Sequence, residues 1–364
     1  MMRLRPAHGA KLTQLDADLR NFLGHLLGTT LTDDAWAQSR LPLRSGGLGL
    51  PDLATLADAA YLGSLAQTLA AAAADHGIST EARLRATAPA LTASAAAAGG
   101  RLRAKGANPP SLQELLGQPQ KGVQRALTHA AADARCAALL DALPVDQRAW
   151  VQSCAGPGAG AWLLPPRGKQ ESFDDTSFLV ALRLRLRLLN FQGLYAVVLG
   201  HTAGGNANRR HNTVRDTVAA WLRKHTSGSV RVEQLIPELA QDRGEARLDV
   251  VAFDTTGARM LLDVAVVHAV SADQSRLARA ALVAGAPARG REDSKRERYR
   301  DAVGLVPFVL ETGGRVGEAA RAMARRVAPT DPAERTQAIS DLWRAVAVDV
   351  QKANAIMLLT LGGR

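Results

Sequence analysis

Residues 247–267 read RLDVVAFDTTGARMLLDVAVV, and this stretch decides the fold of the C-terminal half. Two apolar runs, Arg247–Phe253 and Ala258–Val267, meet across Asp254-Thr255-Thr256-Gly257, a strong turn signal, so the segment predicts a β-hairpin. Asp249 lies seven residues before Thr256 and Asp263 seven after it, which sets the two aspartates opposite each other or one residue out of register. Directly opposed side chains have Cβ atoms roughly 4.5–5.5 Å apart, and like charges so placed destabilise the pair. A hard divalent cation held by carboxylates, water and a substrate phosphate resolves that conflict, and Mg²⁺ is the natural candidate. The alternative is that both aspartates are solvated strand ends or lie on different faces.

Outward from the hairpin, Val230-Arg231-Val232 starts another strand. His211-Asn212 opens a helix with Val214, Val218, Trp221 and Leu222 on one face. Ser271–Gln274 and Ser294–Glu297 are capping-box patterns, each predicted to open a helix, with a loop over Gly285–Arg291 between them. Leu305–Glu311 is a last apolar strand, ended by Thr312-Gly313-Gly314. Helix, strands, two helices, strand and helix in that order indicate an α/β domain. Lys295 falls in the first turn of its expected helix with Tyr299 one turn on, and Glu311 offers a third carboxylate. Two carboxylates, a metal and a lysine suffice for phosphodiester hydrolysis, because the metal polarises the phosphate and acidifies a bound water while the lysine orients that water or offsets developing charge.

The N-terminal half reads as mostly α-helical, with helices on either side of the Gly-rich loop Leu41–Leu50. From Ala70 to about Pro110 the chain is Ala-, Gly- and Pro-rich and reads as a weakly packed helical region and linker, the linker over 76–110, and a second helical block follows over roughly 111–143. Phe178, Leu182 and Leu186 predict a helix across Asp175–Leu188, with a strand as the alternative because Arg183, Arg185 and Arg187 alternate with leucine. Those arginines are read as a solvated face in preference to a nucleic-acid track. Trp150 and Trp162 are read as core or loop anchors.

The 364 residues carry 45 Lys and Arg against 34 Asp and Glu, a net charge of +11, and 38 of the basic residues are Arg. Such a balance favours a polyanionic partner, nucleic acid first and an anionic membrane surface second. Cys136 and Cys154 cannot build a disulfide framework or a four-thiolate zinc site. No uncharged apolar stretch is long enough to span a bilayer, and Met1–Pro6 is basic without a hydrophobic signal core behind it. The expectation is an intracellular protein, nuclear if DNA is its partner.

Arg247-Leu248-Asp249-Val250, Asp263-Val264-Ala265-Val266, then Lys295 and Tyr299, then Val306–Gly314, together resemble the restriction-like endonuclease at the C-terminus of non-LTR retrotransposon reverse transcriptase polyproteins. That family carries a proline-aspartate, a second acidic residue a dozen or so positions on, and a lysine displaced onto a helix. Here 13 residues separate Asp249 from Asp263, and Leu248 stands where the family has proline. Arg209–Asp216 resembles the basic His-Asn segment that precedes the nuclease, and Leu41–Leu50 with Ala60–Ser64 resembles the region after the polymerase palm. Ala161-Trp162-Leu163 with Phe178–Leu188 fits the connector between them.

The resemblance implies a helical thumb-like segment over 1–75, the linker over 76–110, a helical connector over 111–200, a restriction-endonuclease-like α/β domain with a mixed sheet flanked by helices over 206–328, and a C-terminal helix over 329–364. It implies a Mg²⁺-dependent DNA endonuclease, with Asp249 and Asp263 as metal ligands and Lys295, Glu311 and Tyr299 completing the catalytic set. Arg209, Arg210, His211, Arg215 and Arg247 would contact nucleic acid, DNA in the first place and RNA as the alternative. No membrane contact and no small-molecule cofactor is implied. The family's zinc knuckle has no cysteine to build it within Leu194–Asn208, so no zinc is predicted, and the only Asp-Asp pairs, Asp33-Asp34 and Asp174-Asp175, lack a polymerase palm's aromatic context. Two other readings stay open: a catalytically inactive, basic nucleic-acid-binding remnant, and a helical protein-interaction scaffold.

Overall fold

The computed structural model describes residues 9–189, 205–239 and 246–362; Met1–Pro6 and most of Leu194–Asn208 lie outside the described residues. The chain forms two compact units, residues 1–42 with 49–142, and residues 43–48 with 143–364. Among the described residues are 14 α-helices and one four-stranded mixed sheet.

The first unit is wholly helical: α1 (Gly9–Leu26), α2 (Asp33–Ser39), α3 (Leu53–Asp75), α4 (Glu81–Thr87), α5 (Pro89–Ala104), α6 (Leu112–Gly117) and α7 (Val123–Ala142). Asp52 caps α3 through the Thr55 amide and also pairs with Arg40, Lys105 and Arg135. Burial alone would raise its pKa; the Thr55 amide and the cations outweigh that and hold the carboxyl at about 2. The weakly packed helical linker expected over 76–110 is instead two helices, α4 and α5, and α5 is tightly packed. Ala95, Ala98 and Leu102 of α5 are buried with Tyr61 and Leu62 of α3 and Leu127 and Ala131 of α7. Alanine favours helix and lets neighbouring helices approach closely, so the composition that suggested a linker builds core here. At Gly63 a Cβ would lie 2.7 Å from Gln124 Cβ, which shows how tight that packing is.

The second unit opens with α8 (Val145–Ser153) and α9 (Asp175–Arg185). Arg185 at the end of α9 is buried and donates to the carbonyls of Leu43, Gly47 and Ala159, which ties residues 43–48 into this unit. The solvated arginine face expected there is therefore wrong at Arg185. Three uncharged carbonyls satisfy the guanidinium and make burial tolerable. Trp150 and Trp162 are both buried, as core anchors should be.

The sheet then assembles behind α10 (Asn206–His225). Strands β1 (Arg231–Leu235), β2 (Arg247–Phe253), β3 (Arg259–Val267) and β4 (Leu305–Glu311) lie in that spatial order, antiparallel except for the parallel β3–β4 pair. Helices α11 (Gln274–Leu282) and α12 (Ala286–Arg298) form the crossover that a parallel pair requires. Then α13 (Glu318–Val327) and α14 (Pro332–Gly362) close the unit.

One face of the sheet (Val250, Ala252, Met260, Leu262, Val264, Phe308) packs against Val214, Val218 and Leu222 of α10, Ala320 and Met323 of α13, and Trp343 and Val346 of α14. On the other face Ala265 and Val309 pack against Ala288 of α12. The hairpin and β4 have the boundaries the sequence suggested, within one residue. The helix starts do not. Residues 286–291, expected as a loop, already belong to α12: Gly285 supplies a left-handed φ of 80° and Pro287 sits in the first turn, where no amide donor is needed. Ser294 is consequently mid-helix and its hydroxyl donates back to the Gly290 carbonyl. Likewise α11 is capped by Asp273, which accepts from the Ser275 and Arg276 amides. Among the described residues, no helix is long and apolar enough to cross a membrane.

Candidate active site

At Asp249 the β2 strand departs from regular alternation. Val250 packs beneath α10, whereas Leu248, two residues away, packs with Val251, Leu261 and Tyr299 in a different cluster. Across the sheet Glu233 has a left-handed φ of 56°, and the β1–β2 ladder skips the Glu233/Asp249 position. The β2–β3 ladder runs up to Val250↔Leu262, so the next position along sets Asp249 against Asp263. There the side chain takes over from the backbone: the Val264 amide donates to Asp249 Oδ2 at 2.6 Å. Leu248 is fully buried and anchors the strand at this break.

The two aspartates meet. Their carboxyl groups shift one another's titration, His211 Nε2 from α10 lies 2.9 Å from Asp249 Oδ1, and Lys295 Nζ from α12 lies 2.5 Å from Asp263 Oδ1. The side chains of Asp249, Asp263 and Lys295 are 14%, 13% and 7% exposed, so these charges interact with little water between them. Burial raises both carboxyls, but their partners pull them apart. The His211 and Val264 hydrogen bonds bring Asp249 below the ordinary range, while burial and the neighbouring Asp249 leave Asp263 above it despite Lys295. Burial also lowers the Lys295 ammonium, against the attraction of Asp263. Two carboxyls with opposed shifts, one inclined to hold a proton and one to release it, are the arrangement from which acid and base roles are assigned.

The other expected site residues are distributed differently. Tyr299 caps α12 one turn after Lys295 and is buried against Leu248, Val251 and Leu261; burial, then the Asp263 charge, raise its phenol. Glu311 is not brought to the site. The register pairs Asp263 with Pro307 and Glu311 with Val267, four residues on, or roughly 13 Å at about 3.3 Å per residue. Its buried carboxyl instead accepts from the Ala288 amide at 3.3 Å, in the first turn of α12, and burial raises its pKa. Glu311 thus seats the N-terminal end of the helix whose later turn carries Lys295.

Of the residues expected on nucleic acid, Arg209 is exposed at the start of α10. Arg210 is buried: its guanidinium donates to Asn354 Oδ1 at 2.8 Å, and desolvation lowers its pKa to about 10. It belongs to the core because its helix face turns towards α14. Arg215 is held by Asp216 and Glu233, and Arg247 by Glu233, so neither charge is free for phosphate. His211 was read as a phosphate contact, and its contact with Asp249 38 residues away carries no local signal. The family resemblance singled out the segment around His211 but not this contact. Glu292, also unforeseen, is buried on α12 and accepts from the Ala319 amide at the start of α13; a Cβ at Gly317 would fall 2.2 Å from its Oε1.

Whether the site suits a divalent ion is answered by its donors. Among the described residues no three His, Cys, Asp or Glu side chains converge as a protein-only metal cage. Mg²⁺ needs no such cage; it binds through one or two carboxylates and fills its shell with water and substrate phosphate. The Asp249–Asp263 pair offers hard oxygens, and a cation between them would offset the repulsion by which the Asp249 charge raises Asp263. No family model matches the chain, and no curated protein matches it.

Proposed function

We propose that the second unit is a metal-dependent DNA endonuclease of restriction-like fold, related to the nuclease of non-LTR retrotransposon polyproteins. The observation that carries this reading is the convergence of Asp249, Asp263 and Lys295 on one hairpin and one crossover helix. The mixed four-stranded sheet, with the carboxylates on its central strands, and the basic charge support it.

Asp249 and Asp263 would hold Mg²⁺, which supplies charge neutralisation at the scissile phosphate and a more acidic bound water. His211 and the Val264 amide fix the Asp249 carboxylate in one orientation. Lys295 faces Asp263 and places a cation beside the reacting phosphate, where it orients the attacking water and offsets charge on the phosphate oxygens. Tyr299 packs under the end of the lysine helix and holds it against the hairpin.

The purified chain is expected to nick supercoiled plasmid in Mg²⁺ and not in EDTA, and Asp263→Ala is expected to abolish nicking while DNA retention on a gel persists. Equal nicking by the variant overturns the assignment. Retention without nicking by the wild type leaves a binding protein, and no retention at physiological salt leaves an interaction scaffold.

A further inference from the structure

Helix α12 presents two kinds of arginine. Ala288, Glu292, Lys295 and Tyr299 form its buried stripe. At about 100° per residue, Arg289 and Arg296 lie on one flank of that stripe, with Arg300 just beyond the helix end, and Arg291 and Arg298 lie on the flank shared with Lys295, four residues before it and three after. On the first flank Arg296 pairs with Glu292 and Asp293, and Arg300, just past the helix, with Glu297, while Arg289 lies there a turn and a half or more from Lys295. Arg291 and Arg298 are exposed and make no ion pair among the described residues. The Arg298 guanidinium lies 5.1 Å over the Tyr299 ring, which restrains its plane beside the site. The second unit holds 32 basic and 23 acidic residues, so +9 of the chain's +11 resides there.

We propose that Arg291 and Arg298 form a phosphate rail for duplex DNA that brackets the Lys295 position; this rests on the nuclease reading for its substrate. The two arginines are about 10 Å apart along the helix axis at 1.5 Å per residue, which matches three base-pair steps at 3.4 Å each. Arg215 and Arg247, held by Glu233, leave this role unfilled on the other side of the hairpin. Arginine suits the task because its planar fork grips phosphate oxygens in pairs.

The test measures equilibrium binding of the full chain to a labelled DNA duplex in EDTA, across a salt series, so that hydrolysis plays no part. Arg291→Ala/Arg298→Ala is expected to weaken binding about tenfold or more near 0.15 M salt. It should also flatten the slope of log K against log salt by about 1.8, roughly 0.9 for each lost phosphate contact. Arg291→Lys/Arg298→Lys should retain most of the slope, and Arg296→Ala/Arg300→Ala should bind within twofold of wild type. Equal losses from both alanine pairs, or none from the first, overturn the rail. The same dependence seen on RNA but not on duplex DNA overturns the assigned ligand. A wild type that shows the rail's signature yet never nicks plasmid in Mg²⁺ refutes the nuclease reading and leaves the rail standing.

Discussion

Asp249 accepts from His211 at one oxygen and from the Val264 amide at the other, so its orientation is decided by two elements distant in sequence. Removing the histidine frees one oxygen and half the constraint. On the proposed nuclease function, His211→Ala is therefore expected to lower the nicking rate in Mg²⁺ by about 10–100-fold, the usual cost of losing a residue that orients a metal-binding carboxylate. Far-ultraviolet circular dichroism should be unchanged, and an unaltered initial rate would show that the contact is incidental. What could be read of the site at this scale follows from arithmetic. Asp249 and Asp263 stand symmetrically about Thr256, so one turn was enough to pair them. Lys295 was legible as a rare lysine on a helix, whereas the histidine's contact depends on how α10 crosses the sheet. Glu311 misled because an acidic strand end looks the same in sequence whether it faces the site or a helix N-terminus.

The helices that cover the sheet carry a titratable cost of their own. Asp349 of α14 accepts from the Thr217 hydroxyl of α10, with Lys352 one turn along α14, and burial raises its carboxyl to about 6. The unfolded carboxyl titrates near 3.8, so the folded form holds its proton the more tightly. The resulting penalty is complete above pH 6 and vanishes below pH 4. Asp349→Asn keeps an acceptor for Thr217 and removes the charge. Thermal melts should show the variant more stable by about 2–3 kcal/mol at pH 7 and no more stable at pH 4, taking about 1.36 kcal/mol per pH unit. A gain that does not change with pH would point to packing as its cause. Elements also show where sequence reading stops. The strands announced themselves through apolar runs and a Gly-closed turn at Gly257, with φ of 84°. Helix starts did not, since Ser271 and Ser294 satisfy the same capping pattern, yet α11 is capped by Asp273 and only tertiary packing decides that α12 begins eight residues before Ser294. The Ala-rich α5 was taken for a linker because alanine is as common in loose segments as in tightly packed helices.

At the scale of the whole chain, charge and stability divide between the two units. The second holds Trp150, Trp162, Trp221 and Trp343, four of the five tryptophans, so fluorescence follows its unfolding. Its centre contains a polar network joining several elements. His268 Nδ1 meets the Thr312 hydroxyl at 2.7 Å, the Thr312 carbonyl accepts from Gln351 and Asn354, and Asn354 accepts from Arg210. Burial, then the Arg210 charge, lower the His268 imidazole to about 4. The unfolded ring binds a proton near pH 6.5 and the folded one does not, so the stabilisation is whole above pH 6.5 and is lost as pH falls towards 4. By pH 5 that loss amounts to about 2 kcal/mol. Asp349 works in the opposite sense over the same range, recovering about 1.5 kcal/mol between pH 7 and pH 5. The contributions of His268 and Asp349 therefore nearly cancel from pH 7 to pH 5, so each steep dependence conceals the other. Asp349→Asn should expose the histidine as a clear fall in denaturant midpoint with acid, and adding His268→Gln should flatten the profile again. A double variant that still loses stability below pH 6.5 would assign the acid sensitivity to other groups.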